Sequence, residues 1–166
     1  MRLFIAIDLS EQMKKTLVGT MHELKKQGVA GNYIPLQNLH CTLAFIGECS
    51  RVDDICGVMD SIPAEKARLS FSGFGSFQDV FWIGIKGNQK IKKYVSDLRK
   101  GLREQGIPCD NSKFEPHVTL IRKQKGKRPT SVPVPDTDMT VSKISLMRSD
   151  MKDGKRVYKE IHAVRV

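Results

Sequence analysis

Short apolar runs and one-sided apolar stripes alternate along this sequence of 166 residues. The run LFIAIDL over residues 3–9 is short and rich in β-forming residues, so it predicts a strand. Similar runs predict further strands over 38–47, 68–73, 80–85, 114–121, 140–147 and 157–166. A turn at Asp153-Gly154 predicts that the last two strands form a hairpin.

Three other segments repeat their apolar residues every three or four positions, which is the period of an amphipathic helix. The helices are predicted between Ser10 and Gly28, over 50–62, and between Asn88 and Gly106. Loops are predicted over 32–37 and 122–128, and an extended proline-bearing stretch over 132–138. Because several predicted strands are adjacent and hairpin-like, the pattern favours an α+β fold over a doubly wound parallel sheet.

Two polar residues interrupt the strand NLHCTLAFIG over 38–47. His40 and Thr42 share one face of this strand, because side chains alternate between faces. Cys41 and Leu43 point to the opposite face, where a core would cover them. A single histidine at this position is more often structural than functional.

The same pattern recurs once, and the recurrence changes the interpretation. HCTL begins at His40 and HVTL begins at His117, 77 residues later. A shift of 77 residues also superposes the first strand and helix on later ones, so we predict repeat units of about 1–75 and 78–150, with a C-terminal hairpin over 140–166. A pseudo-twofold axis between such units would bring both strands to one cleft, lined by His40, His117, Thr42 and Thr119.

The length of the chain fits a single domain that spans residues 1–166. The charge composition narrows the class of partner. The 28 Lys and Arg against 18 Asp and Glu leave a net charge of +10, which favours an anionic partner, with nucleic acid first and a membrane surface second. The alternative is a soluble basic protein with no special partner.

The cysteines and the hydropathy bear on the cellular compartment. The four cysteines form no CxxC pair and no zinc pattern, so free thiols in a reducing cytosol are expected. The N-terminal residues lack the features of a secretory signal, and no run approaches the roughly 18 apolar residues of a membrane span. We therefore expect a cytoplasmic protein that does not interact with a membrane.

Two imidazoles across a cleft suit general acid–base catalysis near neutral pH. The threonine hydroxyls can donate to the oxygens of a tetrahedral anion such as phosphate. No acidic cluster offers a metal site, so a metal-independent reaction is expected, for example on a strained 2′,3′-cyclic phosphate. Zinc is a weaker interpretation, because two histidines are half a ligand set. Cys41 as an active thiol is also weaker, because it faces the core.

Four stretches together resemble the 2H phosphoesterases: RLFIAIDL at the start, NLHCTLAFIGE over 38–48, FEPHVTLIR over 114–122 and a final strand bearing Tyr158. Within that superfamily the chain is most similar to the RNA 2′,3′-cyclic phosphodiesterases, also called 2′-5′ RNA ligases. The resemblance runs nearly end to end. It implies two pseudo-symmetric lobes whose antiparallel sheets face a central cleft, with helices outside, and no cofactor.

The resemblance also implies roles for individual residues. By analogy His117 is the base that activates water, and His40 is the acid that protonates the departing 3′ oxygen, although the pseudo-symmetry allows the reverse. Arg122 matches a basic residue that could bind phosphate. Strict alternation would place it on the face opposite His117, so it serves the cleft only if the strand ends or twists there. Its repeat equivalent, Phe45, could stack on a base or lie in the core.

A basic segment follows this strand and could contact an RNA backbone or be a solvated loop; it contains Lys123, Lys125, Lys127 and Arg128. The expected substrate is an RNA or oligonucleotide with a cyclic phosphate end. Whether this is a tRNA half, an RNA-repair end or a small cyclic nucleotide stays open. A 2′-5′ oligonucleotide phosphodiesterase and a non-catalytic RNA-binding module are the rival functions, and a monomer suffices for all of them.

Overall fold

The computed structural model describes residues 1–86, 89–127 and 132–166. Its strands are β1 (Arg2–Asp8), β2 (Val29–Tyr33), β3 (His40–Glu48), β4 (Arg68–Phe77), β5 (Val80–Ile85), β6 (His117–Gly126), β7 (Asp138–Thr140), β8 (Lys143–Lys152) and β9 (Lys155–Arg165). Its helices are α1 (Glu11–Lys26), α2 (Val52–Ser61) and α3 (Gln89–Glu104), with a 3₁₀ turn at Leu36–Asn38. All strand pairings among these residues are antiparallel, so the predicted α+β class is confirmed.

Helix α1 forms where its apolar stripe predicts it. The hydroxyl of Ser10 accepts the backbone N–H of Met13 at 3.2 Å and caps the first turn. Met13 and Leu17 are fully buried. Gly28 follows the helix with a φ of 84°, a left-handed conformation that favours glycine. The predicted cap of the third helix, Asn88, lies outside the described residues.

The strands lie in one open sheet in the order β7-β4-β5-β6-β3-β1-β8-β9, and β2 pairs with β6. We call β3, β1, β8 and β9 the first half-sheet, and β6, β5, β4 and β7 the second half-sheet. The two half-sheets meet between β3 and β6 through one residue pair, Cys41 and Val118. This narrow junction places the two His-x-Thr strands side by side.

Two strands lie in the half-sheet opposite to their neighbours in the chain. Strand β4 comes after β3 in the sequence but pairs with β5 of the second half-sheet. Strand β8 comes after β6 but pairs with β1 of the first half-sheet. The predicted division into repeat units of about 1–75 and 78–150 stays a prediction, and each half-sheet contains strands from both of these ranges.

Two predicted loops are partly strands, and these predictions were wrong. Residues 29–33 form β2, and β6 continues through Gly126 instead of ending near 121, because β2 supplies backbone partners such as Asn32 opposite Arg122. Gly31 makes this pairing possible: a Cβ there would lie 2.6 Å from the side chain of Ile121. Only glycine allows the two backbones to approach this closely.

The hydrophobic core lies on the face of the sheet opposite the cleft. Leu3, Ile5 and Ile7 of β1 are fully buried and belong to the same apolar cluster as the stripe of α1. The cluster also includes buried residues of α2 and α3. With the helices covering this face, the other face of the sheet is free to carry polar chemistry.

Candidate active site

The four residues predicted to meet in a cleft do meet. His40, Thr42, His117 and Thr119 line one cavity, at the point where β3 and β6 pair. Their strand neighbours Cys41, Leu43, Val118 and Leu120 are buried on the opposite face. The register at Cys41 and Val118 sets His40 opposite Thr119 and Thr42 opposite His117.

The His40 ring is held on both of its nitrogens. Nδ1 lies 2.7 Å from the carbonyl oxygen of Asn38. Because a carbonyl can only accept, Nδ1 carries the proton and Nε2 of the neutral ring has the free lone pair. Nε2 lies 2.9 Å from the hydroxyl of Thr42. The rings of Phe4 and Tyr158 pack against the imidazole, with centroids at 4.9 and 5.3 Å.

The surroundings of His40 lower the pKa of its imidazole below the ordinary value. Burial is the largest cause, because it disfavours the charged ring. The carbonyl of Asn38 and the carboxylate of Asp8 act in the opposite direction, whereas the nearby Arg122 and His117 side chains lower the pKa further. The protein surroundings of His40 therefore favour its neutral form.

The His117 ring is held on one nitrogen. Its Nδ1 donates to the carbonyl of Glu115 at 2.7 Å, which again leaves Nε2 as the nitrogen with the lone pair. Phe77 and Trp82 flank the ring, each with a centroid distance of 5.6 Å. The indole N–H of Trp82 is buried and has no hydrogen-bond partner among the described residues.

A β-bulge in each strand brings a further side chain into the cleft. In β6, Thr119 and Ile121 lie opposite the consecutive residues Trp82 and Phe81, so Leu120 is an extra residue. The alternation of faces shifts there, and Arg122 lines the cavity beside His117. The condition set for Arg122, that the strand must end or twist for it to serve the cleft, is met by this bulge.

Strand β3 has the equivalent bulge. Thr42 and Ala44 lie opposite the consecutive residues Ala6 and Ile5, so Leu43 is the extra residue. Phe45 therefore turns toward the cleft, where it is 39% exposed and lies against Arg2, whose guanidinium carbon is 5.1 Å from the ring centroid. The alternative that placed Phe45 in the core was wrong.

Different groups hold the two bulges in place. The carbonyl of Leu43 accepts from Nε and Nη2 of Arg99, at 3.3 and 3.0 Å. The same guanidinium, which is buried, donates to the carbonyl of Ser112 at 2.7 Å and pairs with Asp110. The carbonyl of Leu120 instead accepts the backbone N–H of Ile34 at 2.9 Å. The first bulge thus depends on one side chain and the second on the backbone.

The remaining predicted residues lie away from the reacting centre. Lys123 is exposed, with a φ of 52°, and is not among the described residues that line the cavities next to His40 and His117. Lys125 is an exposed residue of β6 opposite Ala30, and Arg128 lies outside the described residues. Burial raises the pKa of the Cys41 thiol to about 12, which does not favour a nucleophile.

Sequence reasoning missed the residues that extend the cleft on either side of His40. On one side, a cavity of about 250 Å³ is lined by Asp8, Lys143 and Glu160. Hydrogen bonds from Lys143 and Ser145 lower the pKa of Glu160. On the other side a cavity is lined by arginines and is described below. The alternation of side chains along β1 could have indicated that Asp8 faces the cleft. The polar residues of β8 and β9 could not be placed there without knowing the order of the strands in the sheet.

The other two histidines do not reach the cleft. His22 is exposed on α1, and Nε2 of His162 lies 2.7 Å from a carboxylate oxygen of Asp60 in α2. Within the described ranges, no group of three or more His, Cys, Asp or Glu lies close enough together to hold a metal ion. No helix in the described part of the chain is both long and apolar enough to cross a membrane.

The sequence model of the 2′-5′ RNA ligase superfamily matches residues 15–153. The chain belongs to this superfamily. The RNA 2′,3′-cyclic phosphodiesterase of Thermotoga maritima is 26% identical over 178 residues, which cover 98% of this chain and 94% of that protein. The predicted resemblance to the 2H phosphoesterases is thereby confirmed.

Two solved structures support the fold expected of this superfamily. TT0787 of Thermus thermophilus superposes with a TM-score of 0.87 at 25% identity, covering 99% of this chain and 97% of that one. Escherichia coli LigT in its apo form also gives a TM-score of 0.87, at 24% identity, covering 99% of this chain and 96% of that one. The second likeness concerns the fold alone.

Proposed function

We propose that this chain hydrolyses RNA ends that carry a 2′,3′-cyclic phosphate to ends that carry a 2′-phosphate. One observation carries the proposal: His40 and His117 lie in one cavity, and a backbone carbonyl holds Nδ1 of each ring so that each Nε2 can exchange a proton. The Thermotoga maritima relative is named an RNA 2′,3′-cyclic phosphodiesterase, which supports the same substrate class. The proposed reaction needs no metal ion and no cofactor.

The proposed steps use the histidines in different roles. Nε2 of His117 takes a proton from water as the water oxygen attacks phosphorus. The bond from phosphorus to the 3′ oxygen breaks, and Nε2–H of His40 protonates that oxygen, leaving a 2′-phosphate. The hydroxyls of Thr42 and Thr119 donate to the non-bridging oxygens, and the guanidinium of Arg122 stabilises their negative charge.

The lowered pKa of His40 requires a source for the acidic proton in this scheme. A bound phosphate brings negative charge next to the ring, and a nearby negative charge favours the imidazolium. Substrate binding therefore opposes the effects of burial and of Arg122 on His40. In this proposal the negative charge of the bound phosphate favours the protonated form of His40, which can then act as the acid.

Joining of RNA ends follows from the same chemistry. If a 5′-hydroxyl of a second RNA replaces water, the same proton transfers open the ring and form a 2′-5′ linkage. The reaction consumes no external energy donor and therefore runs in both directions. We include this reversible 2′-5′ ligation in the proposed function, in which Phe45 stacks on a base next to the reacting phosphate.

The test is hydrolysis of an RNA oligonucleotide that ends in a 2′,3′-cyclic phosphate, in EDTA, with product analysis. The wild type should form only the 2′-phosphate. His40→Ala and His117→Ala should each lower kcat by about 10²–10⁴-fold. His22→Ala is the matched control, because this histidine is exposed on α1, and it should stay within about twofold.

Other outcomes identify the rival functions. A 3′-phosphate product would reverse the proposed direction of ring opening, and activity only after addition of metal would contradict the two-histidine mechanism. Faster cleavage of a 2′-5′-linked oligonucleotide would identify a 2′-5′ oligonucleotide phosphodiesterase. RNA binding without hydrolysis, unaffected by the loss of either histidine, would identify a non-catalytic RNA-binding module.

A further inference from the structure

A second cavity opens beside His40 and is lined by arginines. Its walls include Arg2, Arg122, Arg156, Ser149 and Phe45, and its volume is about 320 Å³. It shares Phe4, His40 and Tyr158 with the cavity that contains Asp8 and Glu160. A ligand that reacts at His40 can therefore extend in two directions, toward positive charge or toward carboxylates.

The strand register explains why these residues converge. Arg2 of β1 lies directly opposite Ser149 of β8, and Ser149 lies directly opposite Tyr158 of β9. Arg156 shares the face of Tyr158, because the two are separated by one residue in a regular part of β9. Three neighbouring strands thus hold a fixed surface, so the two arginines need no loop to position them.

Among the residues that the structure describes, Arg2 and Arg156 have no carboxylate partner, unlike several other arginines. Nη1 of Arg156 donates to the hydroxyl of Ser149 at 3.4 Å, and Arg2 lies over the ring of Phe45. Neither forms an ion pair within the described ranges, whereas several other arginines have a carboxylate oxygen within 3.3 Å. These paired arginines are Arg51, Arg68, Arg99 and Arg148.

The clustering of like charges needs a compensating ligand. Arg122 lines the same cavity, so three positive charges share one cavity, and like charges repel. An anion placed among them would remove this repulsion and gain charge-assisted hydrogen bonds. In the opposite direction, the carboxylates of Asp8 and Glu160 already pair with Lys14 and Lys143, so these lysines are less available to a phosphate.

We propose that Arg2 and Arg156, together with Ser149, bind the phosphodiester that precedes the terminal cyclic phosphate of the RNA. The inference rests on the proposed function and narrows its substrate class. Arg122 holds the reacting phosphate, whereas Arg2 and Arg156 hold the next one along the chain. The preferred substrate is then an oligonucleotide, and a mononucleoside cyclic phosphate leaves this subsite empty.

The test compares two substrates: an RNA oligonucleotide with a 2′,3′-cyclic phosphate end and a mononucleoside 2′,3′-cyclic phosphate. In the double variant Arg2→Gln/Arg156→Gln, the ratio of kcat/KM for the oligonucleotide to that for the mononucleotide should fall at least about tenfold. The control Arg68→Gln/Arg148→Gln removes the same two charges from paired arginines outside the cleft and should leave the ratio unchanged. An equal loss on both substrates, or no loss, would overturn the inference.

A binding measurement separates this inference from the proposed function. The probe is a fluorescent RNA that ends in a 3′-phosphate, titrated at several salt concentrations. Arg2 and Arg156 contact one phosphate. In the double variant Arg2→Gln/Arg156→Gln, the slope of log K against log salt should therefore fall by about 0.7, which is the contribution of one phosphate of a single strand. If the wild type hydrolyses neither substrate, the proposed function fails. An unchanged slope overturns the inference, whether or not hydrolysis occurs.

Discussion

The strands that carry His40 and His117 share a four-residue pattern and a bulge, yet their surroundings differ. His40 lies between Phe4 and Tyr158, with both ring nitrogens in hydrogen bonds and its pKa lowered by burial. His117 lies beside Trp82 and has only Nδ1 engaged. The repeated pattern sets the position of each ring, whereas the groups packed around each ring differ and lower the pKa of His40 through burial.

The largest expected effect on stability comes from the groups that hold the two bulges. Arg99→Ala removes the donors to the carbonyl of Leu43 and the cation paired with Asp110, which keeps the backbone N–H of Phe45 as a donor. The bulge at Leu120 keeps its backbone donor from Ile34. We expect a loss of about 3 kcal/mol in the free energy of unfolding. Urea denaturation measures it.

The control for Arg99 lies one turn further along α3. Arg103 is exposed and makes one hydrogen bond, to Asn111, so Arg103→Ala should change the free energy of unfolding by less than about 0.5 kcal/mol. Similar losses for Arg99→Ala and Arg103→Ala would show that β3 does not depend on the buried guanidinium.

The two threonines sharpen the comparison at the level of catalysis. Each hydroxyl is proposed to donate to the phosphate, but Thr42 also bonds Nε2 of His40. Thr119→Val should lower kcat/KM about tenfold, and Thr42→Val should lower it further. Thr→Ser at either position keeps the hydroxyl and should recover most of the activity. Equal losses for the two valine variants would mean that the Thr42–His40 contact has no catalytic effect.

The charges around His40 allow its role to be read from a pH profile. Arg122 lowers the pKa of His40 and Asp8 raises it. If His40 is the acid, kcat/KM falls as pH rises through this pKa. Arg122→Gln should then move that alkaline limb to higher pH, and Asp8→Asn should move it to lower pH. Movement of the acidic limb instead would assign His40 as the base.

The pH comparison needs one check on folding. Asp8 pairs with the buried Lys14 at 2.9 Å, so Asp8→Asn should also lower the melting temperature. The limb positions remain interpretable as long as the variant is folded over the pH range of the assay. Shifts in the same direction for Arg122→Gln and Asp8→Asn would contradict an electrostatic cause.

The smallest effect on activity is expected from a substitution that gives β3 the same four-residue pattern as β6. Cys41→Val turns HCTL into HVTL, the pattern of the second strand, at the single residue pair that joins the half-sheets. Because the thiol is buried and its pKa is raised to about 12, kcat should be unchanged. We expect a stability change below about 1.5 kcal/mol. A large loss of kcat with an unchanged melting temperature would reveal a role for the thiol.

Much of the fold and the centre of the site followed from local pattern. Period-two and period-3.6 spacings predicted the helices and most strands, since these depend on which face is buried. The two copies of His-x-Thr-Leu predicted that four polar side chains share a cleft, and the structure places them there. The resemblance of these strands to the 2H phosphoesterases predicted the superfamily.

The rest depended on contacts that local pattern does not encode. An extra residue at Leu43 and at Leu120 reverses the faces beyond it, so neither Phe45 nor Arg122 could be placed by alternation. Strand β2 was missed because Gly31 and its neighbours carry no alternating pattern and pair only through close approach to β6. Arg156 enters the cleft through a strand order that no local spacing fixes.

The crossing of β4 and β8 between the half-sheets also governs the order in which the protein can be built. Ile5 of β1 pairs with Leu146 of β8. During synthesis, β1 therefore cannot pair with β8 until most of the chain has been made. Contacts this distant in sequence are slow to form and leave an open strand edge exposed to other chains in the meantime. Expression of either half alone would therefore give an incomplete sheet. Two fragments made separately would have to associate before the cleft could form.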